Sequence, residues 1–480
     1  MDKAKWIKPD MKRMDNWIWR GTLFIFFLQI LLLFSPVREE KITNAYLIPL
    51  IVAMVVYLWM RLGIPRTPVM LLPVVFALWF LLCRVINGDW YLQESYPLVY
   101  KILLSCCVLF IVPFLTGADR RDAYFKAFAF LYSILFSVIA WIAVIAVLSG
   151  NNWVNPLGGG ILGIDATYAN PNRLNVLDIH PNISAIFFYT SLALLLYLFF
   201  ASKRVWSKVL YIAAAIGLYL AICMTGSISS IGITGLILGC AVFAVLLQAR
   251  GLRKLRIPVA VVAMLAICVL VVMTYPLVIQ TTSGLYEKMQ KDSAGIDRIL
   301  VSTASAQENQ QENPEAESEA PDVFVEERLE VDSMTATMQG RFQIYSSAFL
   351  AIEDRPVTLL IGELWQEAMV RSARVIHYPL QNHLHNSYLQ TLVVGGGISV
   401  LLALLFTVLL VIYAIRLFFH KETPLYRKML VLAPAGLLCH SMTESILFVD
   451  TRIPNMLFFL VAGMIIACAK EIKAKDKQAV

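Results

Sequence analysis

Charge is scarce in this sequence. Charged residues make up 15% of 480 positions, and hydrophobic residues 59%. Soluble domains carry about 25% charged residues, so the chain has too little charge to clothe a water-facing surface. The N-terminal arm is polar and basic (Lys3, Lys5, Lys8, Lys12, Arg13), and the first apolar run is too long for a signal core and has no small-residue cleavage site after it. We expect that first helix to stay in the membrane. The eight cysteines lie in or beside apolar runs, with no metal-type CxxC pair, which argues against a disulfide framework and for small packing residues. No internal repeat is visible.

What the chain has instead is long apolar runs. Twelve are long enough to span a bilayer: 17–36, 43–61, 68–86, 97–116, 124–149, 181–201, 207–224, 228–248, 257–279, 387–418, 428–447 and 452–470. The expected fold is an all-α membrane protein of about twelve transmembrane helices, with one large extracytoplasmic loop between spans nine and ten. The expected organisation is helices over 1–279, that loop over 280–386, and the last three helices with a cytoplasmic tail over 387–480. The run 387–418 is long enough to tilt or to extend beyond the bilayer.

Lys and Arg fall in alternate loops: Arg61 and Arg66; Arg120 and Arg121; Lys203, Arg204 and Lys208; Arg250 to Arg256; Arg416 to Lys428. The N-terminal arm and the tail are basic as well. This pattern places both termini in the cytoplasm of a bacterial inner membrane. The formal charge of +7 is mostly this inside signal and does not indicate nucleic-acid binding. On the opposite side, the acidic stretch 307–330 has the composition of a disordered, solvated tether. After it, Met338 to Glu353 has apolar residues at helical spacing and predicts an amphipathic helix.

The informative polar residues collect where the outside loops meet helix ends. Gly340-Arg341 is followed by Arg371, Arg374, His377 and the run His383-Leu384-His385-Asn386-Ser387-Tyr388-Leu389-Gln390, then by Gly395-Gly396-Gly397 inside an apolar span. Asn170-Pro171-Asn172 and His180-Pro181-Asn182 precede span six; His440 and Glu444 lie one helical turn apart in the penultimate span. His-Asn-x-Tyr-Leu-Gln before a Gly-rich helix resembles the core of the O-antigen ligase and polymerase superfamily. So do Gly340-Arg341 with Tyr345, the Asn-Pro-Asn element and the His440/Glu444 pair. Together with the span count and loop placement, the resemblance covers roughly half the chain. One departure stands out: members often have Ser-Arg after a Thr near the start of a middle span, whereas here Thr225-Gly226-Ser227 is followed by Ile228. A charge from that position must come from elsewhere.

The resemblance implies a membrane glycosyltransferase of polysaccharide biosynthesis. Its donor would be a polyprenyl-diphosphate-linked glycan, such as one on undecaprenyl diphosphate, and its acceptor a glycan or lipid-linked hydroxyl. Such an acceptor loses a proton as the bond forms, and His385 suits a general base at neutral pH. The leaving diphosphate needs fixed cations, which Arg341, Arg371 and Arg374 offer as planar forks. With arginines in that role no metal or other cofactor is required. Asn386 and His383 flank the base; Arg173 and His180 of the shorter loop line a path for donor or acceptor, and Glu444 is a costly charge near a span end. Pro379 places the start of span ten near Asn386 or Ser387, whose free N–H groups would face the anion.

Other readings of the same residues exist. His385 beside Asn386 could be only a helix cap. His377, His383 and His385 could ligate a metal, although no nearby Cys or Asp completes a set. Arginines in an acidic loop commonly form surface ion pairs, and the triple glycine could serve helix packing or a kink. A transporter or flippase for lipid-linked glycans is the alternative function. It would place ionisable residues near the bilayer midplane.

Overall fold

The computed structural model describes residues 11–32, 47–62, 68–88, 95–149, 166–169, 173–176, 180–249, 256–304, 333–364, 368, 384–450 and 452–479. Helices dominate. In chain order they are α1 (Met11–Leu32), α2 (Ile48–Leu62), α3 (Pro68–Ile86), α4 (Ser95–Leu103, continued by a π turn and a 3-10 turn to Phe114) and α5 (Ala118–Leu148). After these come α6 (Pro181–Ala201), α7 (Val205–Met224), α8 (Ile228–Gln248), α9 (Arg256–Ala304), α10 (Ser333–Asp354) and α11 (Thr358–Ile361). The last are α12 (Ser387–Phe419), α13 (Leu425–Met429), α14 (Leu432–Ser441) and α15 (Ile453–Ala479). A small antiparallel hairpin, β1 (Ala166–Ala169) with β2 (Arg173–Val176), lies between α5 and α6.

Among the described residues, eight helices are long and apolar enough to cross a membrane: α3, α5, α6, α7, α8, α9, α12 and α15. The four other expected spans fall on shorter, more polar or interrupted helices. Run 17–36 falls on α1, which begins earlier and takes in Lys12, Arg13, Asp15 and Arg20. Run 43–61 falls on the 15-residue α2, and 97–116 on α4, whose helix tightens and widens by turns. Run 428–447 falls on α13 and α14, after which the chain leaves the helix at Met442. There Asn455 binds both the N–H and the C=O of Phe448 and the carbonyl of Asp450, replacing helical hydrogen bonds. The acidic stretch 307–330 lies outside the described residues.

The most enclosed helix of the bundle is α15, buried almost throughout its apolar part, followed by α6; α9 is the most peripheral span. A helix apolar all round fits such an enclosed place. At one end of the bundle an ion network ties three elements together. Arg427 lies 2.8 Å from Asp122 and 3.4 Å from Glu471, and Arg121 lies 2.6 Å from Glu471. The candidate residues gather at the other end, where α6 and α12 begin and α7 and α14 finish.

The triple glycine breaks α12. Gly396 has φ 75° and ψ 175° inside the run Ser387–Phe419, a backbone setting open mainly to glycine. A Cβ there would overlap the Leu360 carbonyl, and one on Gly362 (φ 67°) would overlap that of Val394. The break is thus filled by backbone: α11 and the residues after it press into the gap. Released carbonyls find partners. Glu363 N–H donates to Val393 O at 2.8 Å, Arg84 to Val394 O at 2.6 Å, and Ser399 to Gly395 O at 2.6 Å. Asn87 Nδ2 donates to Gly362 O at 3.0 Å. In an apolar setting each unsatisfied carbonyl would be costly, so the break and the inserted segment require one another.

Candidate functional site

His385 sits between the loop and α12 with φ 50°. This left-handed setting, uncommon for a residue with a side chain, turns its ring away from the helix that starts two residues later. Asn386 is the N-cap: its Oδ1 accepts from the N–H groups of Tyr388 and Leu389, both at 3.0 Å. The expectation that span ten begins near Asn386 or Ser387 holds. Its expected offer of free N–H groups to an anion does not, since the asparagine side chain occupies two of them.

Five further hydrogen bonds lock this helix start onto the turn after α14. Ser387 Oγ donates to Glu444 O at 2.9 Å and accepts from the N–H groups of Ile446 and Leu447 at 2.9 and 3.1 Å. Asn386 N–H donates to Ser445 Oγ at 3.2 Å. Asn386 Nδ2 donates to Met442 O at 3.2 Å. The same lock brings Glu444 against His385. Nδ1 of the ring lies 3.0 Å from Glu444 Oε2. The Glu444 side chain is 1% exposed and that of His385 15% exposed, so the carboxylate is sealed while the imidazole reaches solvent.

A carboxylate can only accept. Nδ1 therefore carries the hydrogen of this pair, and in the neutral ring Nε2 keeps a lone pair for a proton. The other carboxylate oxygen is also engaged: Asn182 Nδ2 donates to Glu444 Oε1 at 2.6 Å. Asn182 Oδ1 in turn accepts from Arg173 at 2.8 Å, and Arg173 Nε donates to Thr225 O at 2.8 Å. The chain Thr225–Arg173–Asn182–Glu444–His385 thus runs through β2, α6 and the ends of α7 and α14. Arg173 crosses directly over Gly226, where a Cβ would crowd its side chain. The structure therefore puts a guanidinium beside Thr225-Gly226-Ser227, the place where Ile228 replaced the expected arginine.

His180 caps α6, its Nδ1 accepting from Asn182 N–H at 3.3 Å. Crowding by neighbouring atoms holds its pKa below the ordinary histidine value; Arg173, His385 and Arg452 push the same way and Glu444 opposes them. Arg341 stands one turn before Tyr345 on α10, and Tyr345 donates to His385 O at 3.3 Å. Burial pushes the Tyr345 hydroxyl pKa up, while Arg341 and Asn386 draw it down. The site thus collects His385, Asn386, Glu444, Arg173 and His180, with Arg341 beside Tyr345. Arg371, Arg374, His377 and His383 lie outside the described residues. Among the described residues no group of His, Cys, Asp and Glu is arranged to hold a metal ion.

Asn182, Thr225 and Ser387 fall in family-like runs of the sequence, but the hydrogen bonds by which they hold Arg173 and Glu444 in place depend on long-range packing that no local pattern carries. Arg84 carried a signal that was passed over: an arginine inside an apolar span calls for a partner, and here it supports the break in α12.

Residues 212–405 match the family model described as O-antigen ligase. This part of the chain is therefore similar to the O-antigen ligase family, in agreement with the resemblance in the short motifs. The matched stretch includes Thr225, Arg341, His385 and the break at Gly396, whereas Arg173, Asn182 and Glu444 are contributed from outside it. The comparisons with curated proteins and with solved structures gave no match.

Proposed function

We propose that this protein is a ligase- or polymerase-like glycosyltransferase at the outer face of the bacterial cytoplasmic membrane. It moves a glycan from a polyprenyl-diphosphate carrier to an acceptor hydroxyl during cell-surface polysaccharide synthesis. The observation that carries this reading is the buried Glu444 carboxylate on His385 Nδ1, within a chain similar to the O-antigen ligase family over residues 212–405.

In this mechanism His385 Nε2 takes the acceptor's proton as its oxygen bonds to the anomeric carbon. Glu444 holds the ring in the required tautomer and stabilises the imidazolium that forms. The bond from the anomeric carbon to the diphosphate oxygen breaks, and the leaving group departs with the electron pair. Arg341 meets its growing charge, joined by Arg371 and Arg374 of the same loop. Arg173 keeps Asn182, and through it Glu444, in register. Guanidinium groups supply the electrostatic stabilisation, so the transfer needs no divalent metal. The positions of the basic loops in the sequence support an extracytoplasmic setting for the His385 end.

The test is glycan transfer by purified protein in lipid, with a diphosphate-lipid-linked repeat as donor and EDTA present. Wild type is expected to form a new glycosidic bond, and His385→Ala and Arg341→Ala to remain folded without forming it. The product distinguishes a polymerase from a ligase. Movement of glycan across the bilayer with no new bond would replace this reading with that of a flippase.

A further inference from the structure

Arg452 stands eight residues after Glu444 on the same turn, and the proposed transfer leaves it without a role. It also lies outside the stretch similar to the O-antigen ligase family. The turn is held at both ends. Ser387 binds it at Glu444, Ile446 and Leu447, and Asn455 binds it at Phe448 and Asp450. Asp450 then grips Arg452. Its Oδ1 accepts from the Arg452 backbone N–H at 2.6 Å, and its Oδ2 lies 3.2 Å from Nε. Both carboxylate oxygens are thereby used, while the two terminal nitrogens of the guanidinium have no partner among the described residues. The Asp450 side chain is 8% exposed and that of Arg452 32%, so the clamp is enclosed and the fork reaches water.

Helix stability does not account for a cation at this place. Arg452 immediately precedes α15, and its carbonyl accepts from Asn455 N–H at 3.2 Å. The positive end of a helix macrodipole favours an acidic residue there, so Asp450 offsets a charge that the fold itself does not need. The surroundings of Arg452 are those of the candidate site. Crowding is the main cause of the low His180 pKa, and Arg452 lies near enough to add to it. Burial is the main cause of a raised Asp450 pKa; Arg452 and Lys101 oppose it and Glu444 adds to it. His180 is exposed, as is part of the Arg452 side chain. In this group Arg173, Arg452 and Lys101 stand against Glu444 and Asp450, which leaves an excess of positive charge beside the base.

We propose that Arg452 is a specificity residue for the acceptor: its two terminal nitrogens take an oxyanion of the acceptor glycan, a sugar carboxylate or a phosphate, so that acidic acceptors are preferred. The proposal rests on the function given above and adds the chemical class of the acceptor. A planar fork meets two oxygens of such a group at once. In a direct displacement the acceptor and the leaving group lie on opposite faces of the anomeric carbon. A cation that serves the departing diphosphate therefore does not serve the acceptor. Arg341, next to Tyr345 on α10, has the first task; Arg452, beside His180, has the second.

Two measurements on the full chain in lipid test it. The first needs no turnover. Binding of a soluble glucuronate-bearing oligosaccharide is compared with that of its carboxyl-reduced form and of the reduced form carrying a 1-phosphate. Wild type is expected to bind one anionic probe about tenfold more tightly than the neutral one, and the probe preferred identifies the source of the oxyanion. Arg452→Gln should bind all three alike, and Arg452→Lys should keep part of the preference. Arg452→Gln strands the Asp450 carboxylate, so Arg452→Gln with Asp450→Asn, which removes the pair together, must lose the preference too. Equal or absent binding of the three probes by wild type, or a preference that survives in the double variant, overturns the proposal. The second measurement is transfer to an acidic acceptor, where Arg452→Gln should raise the acceptor KM about tenfold and leave the donor KM unaltered. A change in donor KM alone assigns Arg452 to the diphosphate and overturns the acceptor role. Charge-selective binding without any new glycosidic bond would sink the transferase reading and leave the Arg452 subsite standing.

Discussion

His385 Nδ1 lies 3.0 Å from one oxygen of Glu444, while Asn182 Nδ2 lies 2.6 Å from the other. Both neighbours are donors, so both oxygens must accept. Asn182 cannot turn over, because its own oxygen already takes Arg173. Glu444→Gln brings one amide nitrogen into this arrangement. Facing Asn182 it sets donor against donor; facing His385 it reverses the tautomer and protonates Nε2. The first displaces the side chain that holds the ring and the second removes the Nε2 lone pair, so either one weakens the base. The variant is expected to fold, keep KM for donor near wild type, and lose kcat on the order of 10²- to 10⁴-fold. A Gln variant with wild-type turnover would remove Glu444 from the mechanism.

Arg173 spans two acceptors, Thr225 O through Nε and Asn182 Oδ1 through a terminal nitrogen. A lysine ammonium is a point donor and cannot match that fork. Arg173→Lys should therefore retain the charge yet lose about tenfold in kcat/KM, and Arg173→Ala should lose more. Equal, wild-type rates for both variants would show that the hairpin does not position Glu444.

Gly396 and Gly362 present backbone to backbone. Alanine at either one combines a left-handed conformation with overlap of a carbonyl, and each is expected to cost about 2 kcal/mol or more. Since both substitutions push the same contact apart, the double variant should cost less than the sum. Thermal unfolding in detergent measures all three, and additive losses would mean that the inserted segment and the broken helix are independent.

Arg84 is fully buried and donates to Val394 O at 2.6 Å. Arg84→Met fills similar space but strands that carbonyl, with an expected loss of about 1–3 kcal/mol. Arg84→Lys retains a donor and should lose less. Matching thermal stability for Met and wild type would contradict the role given to this arginine.

The cap on α6 depends on pH. His180 Nδ1 accepts from Asn182 N–H, which requires an unprotonated nitrogen, and its pKa in the folded protein lies below the ordinary value of about 6.5. A depressed histidine pKa contributes stability above the unfolded value and loses it as pH falls through the folded one. His180→Asn caps at every pH. Relative to that variant, wild type should lose thermal stability progressively as pH falls below about 6.5, an effect kept small by the exposure of the ring. Parallel pH curves for the two proteins would dismiss the cap.

Part of this architecture is written locally in the chain. Apolar runs with few charges can fold only as helices that satisfy their own backbone in lipid, so α3, α5 to α9, α12 and α15 were legible from length and composition. So were the helix at α10 and the start of α12 at Ser387, because Asn386 acts through its immediate neighbours. The O-antigen ligase resemblance was legible as well, in the short runs around Arg341 and His385. Short-range rules end there. Nothing in the spacing of Asn182 and Glu444, 262 residues apart, says that they meet. Nor does the sequence show that Arg173 lies over Gly226, or that Gly396 opens a gap that α11 closes. Those pairings arise when separate helices pack and each buried donor and acceptor must find a partner. Length and apolar composition determined which segments can enter the membrane. The satisfaction of buried polar groups, which only the packed bundle could decide, put a carboxylate behind the histidine.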